Sequence, residues 1–202
     1  MRASILLHKQ MALNSFHFKS QSKTRILHFA CAVLVPGYNI IMNEITPPQR
    51  EVTLRFLTQA VEVNFIGNIH GGAVMKWIDE AGYICAAGWC GRDAVTVYVG
   101  GIRFYQPIHA GDLVEVRARL IYTGNTSMHI GVDVRAGNPR SRVLTKTTHC
   151  IIVYVAIDEN GKPISVPKWN PPTAADRELE AYALRLMELR KGIEEEMQAH
   201  SQ

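Results

Sequence analysis

The sequence of 202 residues lacks the long apolar runs that a membrane-spanning helix needs, so we expect no membrane span. It also has only four cysteines, and no two of them form a C-x-x-C pair. Cys85 falls in an apolar helical segment and Cys150 in a strand, which indicates buried free thiols in a reducing compartment. The histidines show no metal-ligand spacing, so we expect no metal site.

The motifs of several enzyme classes are missing as well. The chain has no P-loop, no H-E-x-x-H, no dinucleotide-binding fingerprint and no G-x-S-x-G elbow around a nucleophilic serine. A hydrolase with neither a serine elbow nor a metal has to use a carboxylate and water. The acidic residues are therefore the candidates for catalysis.

Acidic residues are absent from residues 1–43, which carry five basic residues. The whole chain has a net charge of +4, and residues 1–43 contribute +5 of it, so residues 44–202 have a net charge of −1. With no helix-turn-helix or zinc-finger pattern among the scattered basic residues, the pI of 8.9 does not indicate a nucleic-acid partner. We interpret residues 1–43 as a basic extension outside the fold, with Met42 as the natural first residue. A secretory signal and a mitochondrial transit peptide are the alternatives.

The remainder has enough hydrophobic residues for one packed domain and a clear periodicity. Period-two alternation predicts strands at 51–58, 95–106, 114–120, 127–134 and 143–157, with a possible bulge at Gly100-Gly101. The predicted core face carries Val52, Leu54, Phe56, Val114, Val116, Ala118, Leu120, Met128, Ile130, Val132 and Val134. The short turns between these strands predict an antiparallel sheet. A helix at 72–88 with apolar residues on most sides needs a sheet curled around it, so we expect an α+β fold.

Two segments follow the sheet. We assign residues 44–165 to the domain and residues 166–202 to a proline-rich linker with a C-terminal amphipathic helix at 174–198. That helix carries an apolar stripe that Arg190 interrupts, made of Leu179, Ala183, Leu186, Ile193 and Met197. Such a stripe predicts packing on the domain or on a neighbouring subunit.

The apolar helix contains an unexpected acid, Asp79. On a helical wheel the apolar arc consists of Val74, Trp77, Ile78, Ala81, Ile84 and Cys85. In one interpretation Asp79 belongs to the solvated edge formed by Lys76 and Glu80. In the other it borders a cleft, where Gly82 and Ala86 leave room for a ligand and the carboxylate orients water or acts as a base or nucleophile.

The start of the same helix is the second candidate. His70, Gly71 and Gly72 precede or open the first turn, whose backbone N–H groups have no helical partner. Glycines let a ligand approach these donors, which can hold a carbonyl oxygen that gains negative charge during acyl transfer. Ordinary helix-entry geometry explains the glycines equally well.

Three stretches, VNFIGNIHGGAVMKWIDEAG, VTVYVGGIRFYQPIHAGDLVEV and YTGNTSM, resemble the hotdog-fold acyl-CoA thioesterases of the YciA and brain acyl-CoA hydrolase type. The likeness covers about residues 46–172. It implies a long helix wrapped by five or six antiparallel strands. It also implies hydrolysis of acyl-CoA to a free acid and CoA at sites in a dimer interface, with dimers assembled as a trimer.

The resemblance also implies roles for individual residues. Asp79 matches the catalytic carboxylate, Asn64 its polar partner across the interface, and Gly71 and Gly72 the donors to the thioester oxygen. His70 is interpreted as a positioning or packing residue beside the substrate. The CoA contacts would come from Thr123, Gly124, Asn125, Thr126 and Ser127. Some relatives have arginine at the position of Asn125, and since asparagine cannot supply that charge we suggest Arg103 or Arg135 for the CoA phosphates. Asn64 as a turn cap and residues 123–127 as a plain hairpin turn are the alternatives.

Three other functions compete with hydrolysis. A hydratase or dehydratase usually needs an acid–histidine pair, which Asp79 lacks in the sequence. A non-catalytic acyl-CoA sensor would bind without turnover, and a structural oligomer would bind nothing. We expect a cytoplasmic homohexamer of fatty acid metabolism that needs no cofactor, since CoA belongs to the substrate and product.

Overall fold

A computed structural model describes residues 47–200, and the extension assigned to residues 1–43 lies outside them. The strands are β1 (Glu51–Leu57), β2 (Ala94–Phe104), β3 (Leu113–Thr123), β4 (Ser127–Gly137) and β5 (Thr145–Ala156). The helices are α1 (Gly71–Cys90) and α2 (Ala174–Ala199), with a short 3-10 turn at Ala60–Glu62. No helix of the described residues is long and apolar enough to cross a membrane.

All five strands form one antiparallel sheet in the order β1-β3-β4-β5-β2. β3 and β4 are joined by only three residues, which forces their antiparallel pairing. The two ends of the sheet, β1 and β2, are edge strands. The α+β class and the antiparallel sheet expected from the alternation are confirmed.

The core lies between α1 and one face of this sheet. α1 contacts all five strands, which confirms that the sheet encloses the helix. The alternating residues of β3 and β4 that were assigned to the core are completely buried. One residue of the predicted apolar arc is an exception, since Ile84 is 43% exposed.

The glycine pair in β2 does form the irregularity that the sequence suggested. The pairing of β2 with β5 loses register between Gly100 and Arg103, and Gly101 adopts a φ of 63°. A side chain at Gly101 would be strained in this left-handed conformation. The ring of Tyr98 lies directly over Gly100, where an added Cβ would meet it at 2.2 Å. The bulge therefore turns Tyr98 along the outer surface of the sheet.

Gly82 does not leave room for a ligand as the sequence suggested. A Cβ at Gly82 would lie 2.6 Å from the hydroxyl oxygen of Tyr154 and 2.9 Å from its ring. The missing side chain therefore makes space for a buried tyrosine of β5. Ala86, the other small residue of that expectation, is fully buried in the core.

We expect the substitution Gly82→Ala to destabilise the fold by about 1–3 kcal/mol, because the methyl group overpacks against Tyr154. Gly192→Ala is the matched control, since a Cβ there meets nothing within 4 Å. That change in the middle of α2 is expected to stabilise by about 0.5–1 kcal/mol. Urea unfolding of both variants measures the difference, and equal effects would contradict the packing argument.

α2 packs against the outer face of the sheet, as one of the two alternatives predicted. Thr173 caps its start by accepting a hydrogen bond from the Asp176 N–H at 3.1 Å. Ala183 is buried there with Leu179 and Leu186, whereas the distal part of the stripe, Ile193 and Met197, is exposed. Arg190 does not turn to solvent, because its guanidinium stacks on Tyr98 at 4.0 Å.

Candidate active site

Asp79 is held by two hydroxyl groups that reach it from the sheet. Thr96 of β2 donates a hydrogen bond to Asp79 Oδ1 at 2.7 Å. The hydroxyl of Tyr154 in β5 lies 3.1 Å from the same oxygen and 2.8 Å from the Asp79 backbone carbonyl. Oδ2 has no hydrogen-bond partner among residues 47–200. One carboxylate oxygen is thus fixed and the other is available to a water or a substrate.

Tyr154 is suited to remain a donor. Burial raises the pKa of its hydroxyl well above the usual value, and the negative charge of Asp79 raises it further. The phenol therefore stays protonated at physiological pH and donates to Asp79. Because its ring is enclosed by the core and by Gly82, it fixes the position of the carboxylate.

A cavity of about 370 Å³ opens beside Asp79. Apart from Asp79, Lys76 and Gly72, its lining is entirely apolar and consists of Met75, Ile78, Val99, Ile102 and Ile152. Lys76 is paired with Glu80 at 3.6 Å across one turn of the helix, so it does not neutralise Asp79 directly. Asp79 is exposed, but it lies at the mouth of an apolar space and not on a plain polar edge.

The start of α1 presents free backbone donors. His70 is the N-cap, and its carbonyl accepts from Ala73 at 3.0 Å and from Val74 at 3.2 Å. The N–H groups of Gly71 and Gly72 have no acceptor within the described part of the chain. The side chain of His70 is exposed and makes no capping bond. These amides are arranged as an anion or oxyanion site requires.

Asn64 lies near the helix start and far along the helix axis from Asp79. Its side-chain oxygen accepts from the N–H groups of Ile66 at 3.0 Å and Asn68 at 3.1 Å, so it does cap a turn, as the alternative interpretation held. It also lines a second cavity of about 330 Å³ together with Gly71 and Phe104. Asn64 and Asp79 of one protomer thus line different cavities.

The helix geometry separates the two halves of the predicted site. Gly72 and Asp79 are seven positions apart, which corresponds to about 10 Å along the helix axis. A nucleophile and an oxyanion donor must each approach the same thioester within about 3 Å. Within one protomer Gly72 lines the cavity beside Asp79, whereas Gly71 lines the cavity of Asn64.

The predicted CoA-binding stretch forms the β3–β4 hairpin and also holds the linker. The Thr123 hydroxyl is buried and accepts from the Trp169 N–H at 3.0 Å. The carbonyl of Asn125 accepts from the Val166 N–H at 2.9 Å, and Gly124 N–H donates to Ser127 O at 2.9 Å. Thr126 O accepts from Ala156 N–H at 3.1 Å. The exposed side chain of Asn125 and the partly exposed Thr126 and Ser127 are the groups of this hairpin that a ligand reaches.

The two candidate arginines lie on exposed strand positions, Arg103 opposite His149 in β5 and Arg135 in β4. Neither has an ion-pair partner among residues 47–200, so both are available to phosphates. No group of histidine, cysteine or acidic residues in this range has the geometry of a metal site.

Thr96 and Tyr154 were not singled out from the sequence. Thr96 is a polar residue in the apolar strand VTVYV, and Tyr154 occupies an inward position in the alternation of β5, beside Ile152. A tyrosine at a core position needs a partner for its hydroxyl, which is a usable signal. Only the sheet order places both opposite the middle of α1.

Comparison with known proteins identifies the family of the chain. The model of the thioesterase superfamily matches residues 66–143, a range that contains α1 and Asp79. Protein VdlD of Helicobacter pylori is 32% identical over 145 residues, which cover 72% of this chain and 83% of VdlD. The acyl-CoA thioester hydrolase YciA of Salmonella typhimurium is 36% identical over 123 residues, covering 59% of this chain and 92% of YciA.

Solved structures show the same fold. An apo-hexameric acyl-CoA thioesterase superposes with a TM-score of 0.68 at 31% identity, covering 73% of this chain and 95% of that protein. The acyl-CoA hydrolase of Staphylococcus aureus, in complex with butyryl-CoA and CoA, gives 0.68 at 26% identity, with 74% and 91% covered. That hydrolase has also been solved as three single variants, each with one residue replaced by alanine. The replaced residues are an asparagine, an aspartate 15 residues later, and a threonine 17 residues after the aspartate. The chain belongs to the thioesterase superfamily and has its hotdog fold.

Proposed function

We propose that this protein hydrolyses acyl-CoA to a carboxylic acid and CoA, with Asp79 as the catalytic carboxylate. The observation that carries the proposal is the free oxygen of Asp79, held by Thr96 and Tyr154 at the mouth of an apolar cavity. An acyl chain fits the apolar walls, and the thioester carbon then lies near the carboxylate. The names of the relatives support the same reaction.

The chemistry has two routes that lead to the same products. In the first, Oδ2 of Asp79 accepts a proton from water while the water oxygen bonds to the thioester carbon, and the C–S bond then breaks. In the second, Oδ2 itself bonds to that carbon and displaces the CoA thiolate, and water opens the resulting anhydride. In both, water supplies the new oxygen atom and CoA leaves with a proton. Hydrogen bonds to Oδ1 hold the carboxylate and leave Oδ2 without a partner among the described residues.

Spacing in a relative supports the choice of residues. Asn64, Asp79 and Thr96 are separated by 15 and 17 residues, as are the three positions replaced by alanine in the Staphylococcus aureus hydrolase. Thr96 joins the proposed site as a positioning residue, because it touches Asp79 and not the reacting atoms.

We place each active site between two protomers. Asp79 of one protomer would meet the Gly71–Gly72 amides and Asn64 of its partner, because Asn64 and Asp79 of the same chain line different cavities. The edge strand β2 is unpaired on one side and exposes Val95, Val97 and Val99, as a strand that joins a partner sheet does. The hexameric state of relatives supports a trimer of such dimers.

In this arrangement the nucleotide end of CoA lies at the surface near Asn125, Thr126 and Ser127, with Arg103 as a candidate phosphate contact. His70 has an exposed ring beside the helix start and would position the thioester. The proposed reaction uses no metal or added cofactor, because the aspartate and water supply its chemistry.

Within one protomer the side chains that hydrogen-bond to Asp79 are a threonine and a tyrosine, not a histidine. A hydratase needs an acid–histidine pair and releases no CoA thiol, so the thiol assay below distinguishes it from a hydrolase. A sensor needs no carboxylate with a free oxygen in its pocket.

Release of free CoA thiol from acyl-CoAs of increasing chain length tests the proposal. We expect multiple turnovers by the full chain, with equal amounts of thiol and carboxylic acid, and no dependence on added metal. Tight acyl-CoA binding without thiol release at any chain length would contradict hydrolysis and favour the sensor.

A further inference from the structure

A separate small cavity of about 180 Å³ lies beneath α2, on the face of the sheet opposite Asp79. The sheet contributes Ile151 and Val153, which are buried, and α2 contributes Leu186, Met187 and Ile193. Ile151 lines this cavity while its neighbour Ile152 lines the one beside Asp79, so the sheet separates the two spaces. Neither the proposed reaction nor the CoA contacts use it.

One polar side chain in this cavity is buried without a hydrogen bond. His129 is 4% exposed, packs edge-on against Tyr122 at 5.2 Å, and has no hydrogen-bond partner within residues 47–200. Burial, with the nearby positive charge of Arg190, lowers the pKa of His129 to about 4. The ring is therefore neutral at pH 7 and carries one unused donor and one unused acceptor. A ligand in the cavity can pair with both groups.

The second polar group is Arg190, which also lines the cavity. Its Nε donates to Glu194 and its guanidinium plane covers the ring of Tyr98. The two terminal nitrogens have no hydrogen-bond acceptor in the described residues. Arginine can bind two carboxylates through different edges, so the pair with Glu194 leaves capacity for a second anion.

We propose that the space between α2 and the sheet is a binding site for a small monocarboxylic acid with an apolar body. The carboxylate would accept from the Arg190 terminal nitrogens and the His129 N–H, and the apolar body would contact Ile151, Leu186 and Ile193. A cavity of 180 Å³ is below the range of about 300–1,000 Å³ of drug-sized pockets, so it selects a short molecule. A short-chain free acid is a product of the proposed reaction, and a feedback role for the site rests on that proposed function.

Methyl NMR of the full chain titrated with sodium hexanoate tests the site. We expect saturable shifts at Ile151 and Ile193, with a dissociation constant on the order of 1 mM for so small a ligand. Shifts at Ile78 and Ile152 report separately on the cavity beside Asp79. Binding is measured without turnover, so its result does not depend on whether the chain hydrolyses acyl-CoA.

Recognition of the carboxylate is tested by a neutral ligand and by paired substitutions. Hexan-1-ol is expected to bind the unchanged protein about tenfold more weakly, since it lacks the charge. Arg190→Gln is expected to weaken hexanoate by at least about tenfold, while Arg185→Gln, an exposed position on the same helix, leaves it unchanged. Absence of saturable shifts at Ile151 and Ile193, or equal affinity for hexanoate and hexan-1-ol, would overturn the proposal. The hexanol comparison uses the unchanged chain, so it stands even where Arg190→Gln loosens α2.

Discussion

The substitution Asp79→Asn is expected to lower kcat/KM for acyl-CoA hydrolysis by about 10³-fold, with little change in the free energy of unfolding. The amide oxygen can still accept from Thr96 and Tyr154, so the local geometry is kept. What is lost is the negative charge and the basic or nucleophilic oxygen that faces the cavity. Asp79 is exposed in the protomer, so the fold does not depend on its burial.

Glu80 supplies the matched control for this experiment. It is the next residue, it is exposed, and it is paired with Lys76 at 3.6 Å. Glu80→Gln removes the same charge from the same turn of α1 without touching the cavity, and we expect it to retain activity within about twofold. Thiol release and urea unfolding are measured on both variants. An Asp79→Asn protein that keeps full turnover, or a Glu80→Gln protein that loses as much, would refute the assignment of the catalytic carboxylate.

Mixing two inactive variants is expected to restore activity. If Asp79 of one protomer works with Asn64 of its partner, a dimer of one Asp79→Asn and one Asn64→Ala protomer contains one site with neither change. Random pairing makes half of the dimers mixed, and one of the two sites in each is intact. Co-expression at equal levels should therefore give about a quarter of the parent activity.

The physical reason is the length of α1. About 10 Å of helix separates the free amides at Gly72 from Asp79, and Asn64 lies beyond the amides, in the cavity that Gly71 lines. In the proposed site, a thioester carbon beside Asp79 therefore takes its oxyanion donors from the partner chain. In a site built from a single protomer, every site of the mixed dimer would carry one substitution.

One control for complementation is each variant expressed alone. A second is a mixture of the two purified variants under conditions in which their subunits do not exchange. These samples should show only the residual rates of the variants that they contain. Recovery of no more than the average of the two residual rates in the co-expressed sample would show that both residues act within one protomer. Size-exclusion chromatography of the same samples verifies that both variants assemble like the parent.

Much of the fold follows from local patterns. Val114 to Leu120 and Met128 to Val134 alternate strictly because one face of each strand is buried, and the structure buries the inward set completely. The glycines at 100–101 predicted a bulge because glycine adopts positive φ at little cost, and Gly101 has a φ of 63°. Helix α1 extends one residue earlier and two later than the 72–88 predicted, as is common at helix ends.

The prediction that Gly82 leaves room for a ligand was wrong, for a physical reason that a helical wheel cannot show. A small residue on a helix makes space, but the neighbouring element decides what fills it, and here Tyr154 of β5 does so. Arg190 is a similar case, since its charge breaks an apolar stripe in sequence while its guanidinium covers Tyr98 in the structure. Both contacts join residues more than 70 positions apart, so local pattern carries no information about them.

The sequence by itself determined the class of fold, the position of Asp79 on a mostly apolar helix, and the glycine-rich helix start, because periodicity and backbone preference are local properties. The tertiary structure alone decided which oxygen of Asp79 is free, because Thr96 and Tyr154 reach it from two strands that the sheet order makes neighbours. It also decided that Asn64 and Asp79 of one chain line different cavities. That separation depends on the rigid helix between them, and it makes a second protomer part of the proposed site.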